Sequence, residues 1–211
     1  MKRRDLLRHG LVAAGMVGLG ASSARAMSAQ GCYRAGPGEV RCAVGFAQSP
    51  EITDQPCREN CWADCIAYLL TGYGASVTPQ AVMTRMKGGQ TCRARDDVAT
   101  ILGASGLWRD AEGRAFFVQA RRLSDIIRNG RSPEAFQPLV NALSRRPLIV
   151  GEPGHSMVLT EMSYADAPVL DLRHRDLTLR DPWSATPNLR KLSWDDSPDR
   201  MFAIEITVRA A

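Results

Sequence analysis

The sequence predicts an α+β protein, helical through its first half and stranded through its second. Helix signals, with N-cap residues and glycine stops, dominate from residue 61 to 145, and short strand patterns broken by Pro, Asp and Gly follow from 147 to 208. The order itself is the third observation, because helices first and strands after differ from the alternation of βαβ units. No internal repeat or low-complexity tract interrupts the pattern.

The chain opens with Lys2-Arg3-Arg4-Asp5-Leu6-Leu7-Arg8, an apolar run from Leu11 to Ala24, and Ala24-Arg25-Ala26. That is the layout of a cleavable export signal over residues 1–26. The Arg3-Arg4 pair and the Gly-rich, moderately apolar run fit the twin-arginine route, which places the mature protein in the periplasm or outside a bacterial cell. The run spans 14 residues, short of the roughly 20 that cross a bilayer, so no stable membrane insertion is expected after cleavage. Removing the signal leaves 211 − 26 = 185 residues, enough for one domain with a sizeable core.

Residues 27–54 read as an extension of short strands and turns. Asn60 is a candidate N-cap for an apolar helix from Cys61 to Leu70 that stops near Gly72. Thr78-Pro79, an N-cap with proline behind it, starts a helix to about Lys87, ended by Gly88-Gly89. Arg95 to Ala104 reads as helix, Gly106 to Gly113 as a surface loop, Ala115 to Val118 as a short strand and Ser124 to Arg128 as a short helix. Ser132-Pro133-Glu134 begins a longer helix to Ser144 or Arg145. The expected strands are then Pro147–Gly151, Ser156–Tyr164, Val169–Leu172, Leu177–Arg180 and Met201–Val208.

Charge excludes one class of function. The chain holds 27 basic and 22 acidic residues, but five of the former (Lys2, Arg3, Arg4, Arg8, Arg25) and one of the latter (Asp5) belong to the signal. The mature chain is therefore 22 − 21 = +1, and a nucleic-acid partner loses its electrostatic support.

All six cysteines follow the signal. Cys32 and Cys42 flank Ala-Gly-Pro-Gly, a turn signal, so a bridge closing a small hairpin is the first choice, with Cys57–Cys92 second. Cys65 lies one turn below Cys61 and reads as a small core residue. If Cys61 is a nucleophile, five cysteines remain for bridges, and one of these stays unbridged within the chain.

The candidate site begins with Cys61 at the first position of its helix, where the positive end of the helix dipole lowers a thiol's pKa. A thiolate nucleophile also needs a base, a group that orients the base, and donors for the oxyanion. Of the two histidines after the signal, His155 stands where a polar turn enters an apolar strand, and His174 sits in the charged stretch Arg173-His-Arg-Asp176. His155 is the candidate base, Asp181 its orienter, and Gln55, six residues before Cys61, an oxyanion donor beside the Cys61 N–H. His174 is assigned no role.

Together, Gln55, Cys61-Trp62-Ala63-Asp64-Cys65, Gly154-His155-Ser-Met-Val and Asp181-Pro182-Trp183 resemble the papain-like cysteine peptidases. The closer match is to a bacterial subgroup that includes a plant-pathogen effector protease and, more distantly, the leader-cleaving peptidases of bacteriocin exporters. The resemblance covers residues 55 to 183. It implies a papain-like fold, with a helical N-terminal half whose nucleophile helix packs on an antiparallel C-terminal sheet, and a catalytic domain over residues 55–211. It also implies hydrolysis of a peptide or protein substrate through a Cys61–His155–Asp181 triad and a thioester, without metal or organic cofactor. Trp62 and Trp183 are expected as core aromatics beside the site. The alternatives are an acyltransferase or amidase, a silent binding module, or a metal or redox protein using Cys57, Cys61, Cys65 and Cys92. The last fits poorly, because the Cys-x3-Cys spacing departs from zinc and iron–sulfur patterns.

Overall fold

A computed structural model describes residues 28–46, 50–53, 58–87, 97–128, 133–166, 174–183 and 185–211. Its centre is an antiparallel sheet. The strands are β1 (Ser28–Gly36), β2 (Glu39–Phe46), β3 (Gly106–Arg109), β4 (Ala115–Arg122), β5 (Ile126–Ile127), β6 (Leu148–Glu152), β7 (His155–Asp166), β8 (His174–Arg180), β9 (Leu189–Ser193) and β10 (Arg200–Ala210). Four helices accompany them: α1 (Cys61–Gly72), α2 (Pro79–Lys87), α3 (Asp97–Leu102) and α4 (Pro133–Leu143). The main path runs β1-β2-β7-β6-β10-β4-β3, with β8 on β7, β9 on β8 and β5 on β10.

This overturns the expected helical N-terminal half packed on a C-terminal sheet. Five of the ten strands precede residue 128, and they pair with late strands: β2 with β7, and both β4 and β5 with β10. Two short segments depart from the expected elements. The 106–113 stretch, expected as a surface loop, opens with β3, where Trp108 points inward between exposed Leu107 and Arg109, the period-2 signature of a strand. In 124–128, Ile126–Ile127 pairs with Arg200–Met201 instead of coiling. β9 is a further strand the sequence does not announce, because Leu192 is its one buried residue. The expected helix at 95–104 is present as α3 over Asp97–Leu102, and the strand expected at 169–172 lies outside the described residues.

Alternation sends side chains to both faces of the sheet. Ile149, Val158, Phe202, Ile204 and Ile206 join a core with Trp62, Ile66 and Leu70 of α1. Leu148, Val150, Met157, Leu159 and Ala203 face the other way, onto Leu139, Val140 and Leu143 of α4 and Leu177, Leu179 and Leu192 of β8 and β9. Covered on both faces, β10 is buried continuously from Met201 to Ile206. α1 is nearly as enclosed, since nine of its twelve residues are buried. Truncating Ile66 to Ala there costs about 2–5 kcal/mol by loss of packing.

Two hairpins turn on Pro-Gly. Gly38 follows Pro37 at φ 77° between β1 and β2, and Gly154 follows Pro153 at φ 87° between β6 and β7, as type II turns require. Cys32 and Cys42 are register partners and form a disulfide, the expected first choice. It contributes about 2–3 kcal/mol by loop entropy. Gly151 has a different reason to be glycine: a Cβ there would stand 2.1 Å from the His155 carbonyl oxygen, so the hairpin that carries His155 closes only around a bare α-carbon.

Candidate active site

Cys61 is the first residue of α1, as its sequence context predicts. The helix start differs in detail. Asn60 stands at the N-cap position with φ −108° and ψ 6°, outside the extended region of a capping residue, and its side chain makes no cap hydrogen bond. A 3₁₀ turn over Arg58–Asn60 leads straight into the helix and buries the Asn60 side chain. Trp62, fully buried, donates its indole N–H to the Glu59 carbonyl at 3.1 Å, tying the turn to the helix.

The structure brings Cys61 to the head of β7. The Ser156 N–H donates to Cys61 Sγ at 3.2 Å across 95 residues of sequence. His155, the preceding residue, opens β7 with its side chain 14% exposed. Its Nε2 lies 3.0 Å from Asp181 Oδ1. With Nε2 engaged there, the nitrogen that remains for a thiol is Nδ1, the one nearer the ring's own backbone. The N–H bonded to Cys61 belongs to the next residue, Ser156.

Asp181 leaves the end of β8 and is wholly buried. Oδ1 accepts from the Trp183 N–H at 3.0 Å as well as facing His155, so the aspartate nucleates the Asp-Pro-Trp turn and meets the histidine together. Arg190 of β9 donates to Oδ2 at 2.7 Å. Burial alone would push this carboxyl up, but the hydrogen bonds from His155, Arg190 and Trp183 outweigh it and hold the pKa at about 2. Trp183 packs edge-on against the His155 ring, centroids 5.4 Å apart, as expected of an aromatic beside the site.

Cys61 and Cys65 are buried thiols outside any disulfide, and Cys65 sits in the α1 core as expected. Cys61 is fully buried. Gln55, Cys57 and Cys92 lie outside the described residues, as do residues 1–26. Among the described residues, no group of three or more His, Cys, Asp or Glu is placed to hold a metal ion. No helix there is long and apolar enough to cross a membrane.

Three residues of this site were not singled out in the sequence. Ser156 acts through its backbone and leaves no side-chain signal. Asn188 accepts the Asp181 N–H on its carbonyl at 2.9 Å, while its side chain donates to the Ile52 carbonyl at 2.7 Å and accepts the Ile52 N–H at 3.3 Å. It thereby joins the Asp181 turn to the segment entering α1. Arg190 had a legible clue: in Leu189-Arg-Lys-Leu-Ser it shares the inward face with Leu192, and a charge on a buried strand face calls for a partner.

Comparison of the chain with protein-family models and with curated proteins returns no match in either case.

Proposed function

We propose that this protein is a thiol hydrolase, acting as an exported cysteine peptidase through Cys61, His155 and Asp181. The observation that carries the reading is the Ser156 N–H on Cys61 Sγ, which sets the thiol at the helix start against the strand whose first residue is a carboxylate-bound histidine.

The chemistry follows from the roles. His155 Nδ1 takes the Cys61 proton, and the thiolate, stabilised by the start of α1 and the Ser156 N–H, attacks the substrate carbonyl carbon. The oxyanion is met by the Cys61 N–H and the Gln55 amide. As the intermediate collapses, His155 returns the proton to the departing amine and a thioester remains. A water deprotonated by His155 then attacks the thioester, releasing the acid and restoring the thiol. Export by the twin-arginine route belongs to the same proposal, and the Cys32–Cys42 disulfide supports an oxidising destination.

The test is labelling with a thiol-directed papain-family inhibitor, with the adduct located by mass spectrometry. Modification of Cys61 should remain fast well below pH 8.5, the ordinary thiol value, and His155→Ala should confine it to higher pH. Gln55→Ala should leave labelling unchanged while slowing turnover about 10²–10³-fold. Equal labelling profiles for the parent and His155→Ala proteins overturn the mechanism.

A further inference from the structure

We propose that Arg190 is a positioning residue for this site. Its guanidinium, 2.7 Å from Asp181 Oδ2, cancels the carboxylate's charge as felt by His155, so that Asp181 orients the imidazole as a hydrogen-bond acceptor rather than as a full counter-charge. The inference rests on the reading of Cys61, His155 and Asp181 as the reacting set.

The geometry divides the carboxylate between two tasks. Oδ1 serves the histidine and the Trp183 N–H, while Oδ2 is turned to Arg190. The arginine is held for this purpose from two directions. β9 pairs with β8 so that Arg190 stands opposite Leu179, two residues before Asp181. Its Nη1 also lies 3.8 Å from Met157 Sδ, on the strand that His155 opens. A guanidinium does not deprotonate in a protein, so the neutralisation is permanent. The unit His155 faces is therefore charge-neutral.

The other charged or titratable groups on the surrounding elements do not take over this role. Arg180 of β8 donates to the Asn188 side chain at 3.2 Å, and Glu152 of β6, the register partner of His155, is exposed. Asp64 and Cys61 lie on α1, and Lys191 of β9 is exposed on the strand position next to Arg190. Among the described residues, the cation on the Asp181 carboxylate besides His155 is Arg190.

The experiment is a charge cycle. In a Cys61→Ala background, which removes coupling to the thiol, the His155 ring titration is followed by NMR and assigned by its loss in His155→Ala. Arg190→Gln leaves a net negative unit and should move the midpoint up by about one pH unit; Asp181→Asn leaves a net positive one and should move it down by about the same. The double variant is neutral again and should return to within a few tenths of the parent, and Arg190→Lys should stay near it. Removing both charges spares the protein an unpaired buried ion, so the double variant remains informative if Arg190→Gln fails to fold. In that event the double variant must still titrate about one unit above Asp181→Asn. An unmoved midpoint in Arg190→Gln, or in the double variant relative to Asp181→Asn, overturns the proposal. The labelling comparison of parent and His155→Ala keeps this outcome apart from failure of the hydrolase reading itself.

Discussion

His155 and His174 open two neighbouring strands, and the contrast between them shows how position and partner divide the same side chain into different chemistries. His155 begins β7 and His174 begins β8; the strands are antiparallel, so the rings stand at opposite ends of the pair. Each bonds through Nε2, His155 to a carboxylate and His174 to Ser197 Oγ at 2.9 Å. Ser197 donates its own proton to the Ser193 carbonyl at 2.6 Å, so its oxygen accepts from His174, which fixes the Nε2–H tautomer there. His174 is 1% exposed, packs against Trp194 at 4.9 Å, and its Nδ1 is buried without a hydrogen-bond partner. Burial, followed by a smaller opposing pull from Asp176 and a push from Arg128, takes its pKa down to about 4. It is a neutral core residue. His155 keeps a carboxylate on Nε2, stands one residue before the N–H that bonds Cys61, and retains partial access to solvent.

The widest separation between the two should appear in turnover. His155→Ala removes the proposed base and should lower kcat/KM about 10⁴-fold or more on any peptide the parent cleaves. His174→Gln should change it by only a few-fold, because nothing at that end of β8 touches the site. A large loss in both variants at matched stability would erase the distinction.

Stability against pH should separate them in the other direction. A histidine whose folded pKa lies below its unfolded value stabilises the fold fully above the unfolded pKa of 6.5, and that contribution fades as pH falls toward about 4. Urea unfolding at pH 7 and pH 4.5 should therefore show a loss of about 2–3 kcal/mol attributable to His174. His174→Gln should flatten the profile over this interval. A slope equal to the parent's would mean that the buried ring is not its source.

The contrast also shows what was legible beforehand. Cys61, His155 and Asp181 could be named because each sits at an element boundary with its own signal: an apolar helix behind a polar turn, Pro-Gly before an apolar strand, and Asp-Pro-Trp after one. Helix α2 was legible to the residue, since Thr78 supplies the cap that its sequence announces and accepts the Ala81 N–H at 3.2 Å. The sheet was not. β3 and β5 are only 4 and 2 residues long, too short for periodicity to register, and they are strands because β4 and β10 supply their hydrogen bonds. Arg190 is legible only as a charge that calls for a partner, not as the partner of Asp181. Its significance depends on β9 lying beside β8, a pairing made by tertiary structure and invisible in Leu189-Arg-Lys-Leu-Ser.

Asp181 supplies the smallest of these effects and a check on the assignment of the others, because its pH window does not overlap that of His174. Its folded pKa of about 2 lies below the ordinary aspartate value of 3.8, so its contribution is fully present above about pH 4 and is lost as pH falls through 2. The shift corresponds to about 2 kcal/mol, read as a further fall in urea midpoint between pH 4 and pH 2 after the His174 phase is complete. The phase belongs to hydrogen bonds from His155, Arg190 and the Trp183 N–H acting against burial. Arg190→Gln should therefore shrink it, since the folded pKa moves back toward the unfolded one, whereas His174→Gln should leave it intact. Two independent phases that respond to different variants would establish that the opposite ends of β7 and β8 titrate separately. A single phase abolished by either substitution would mean that the two ends are coupled, and the division drawn between a reactive and a structural histidine would fail.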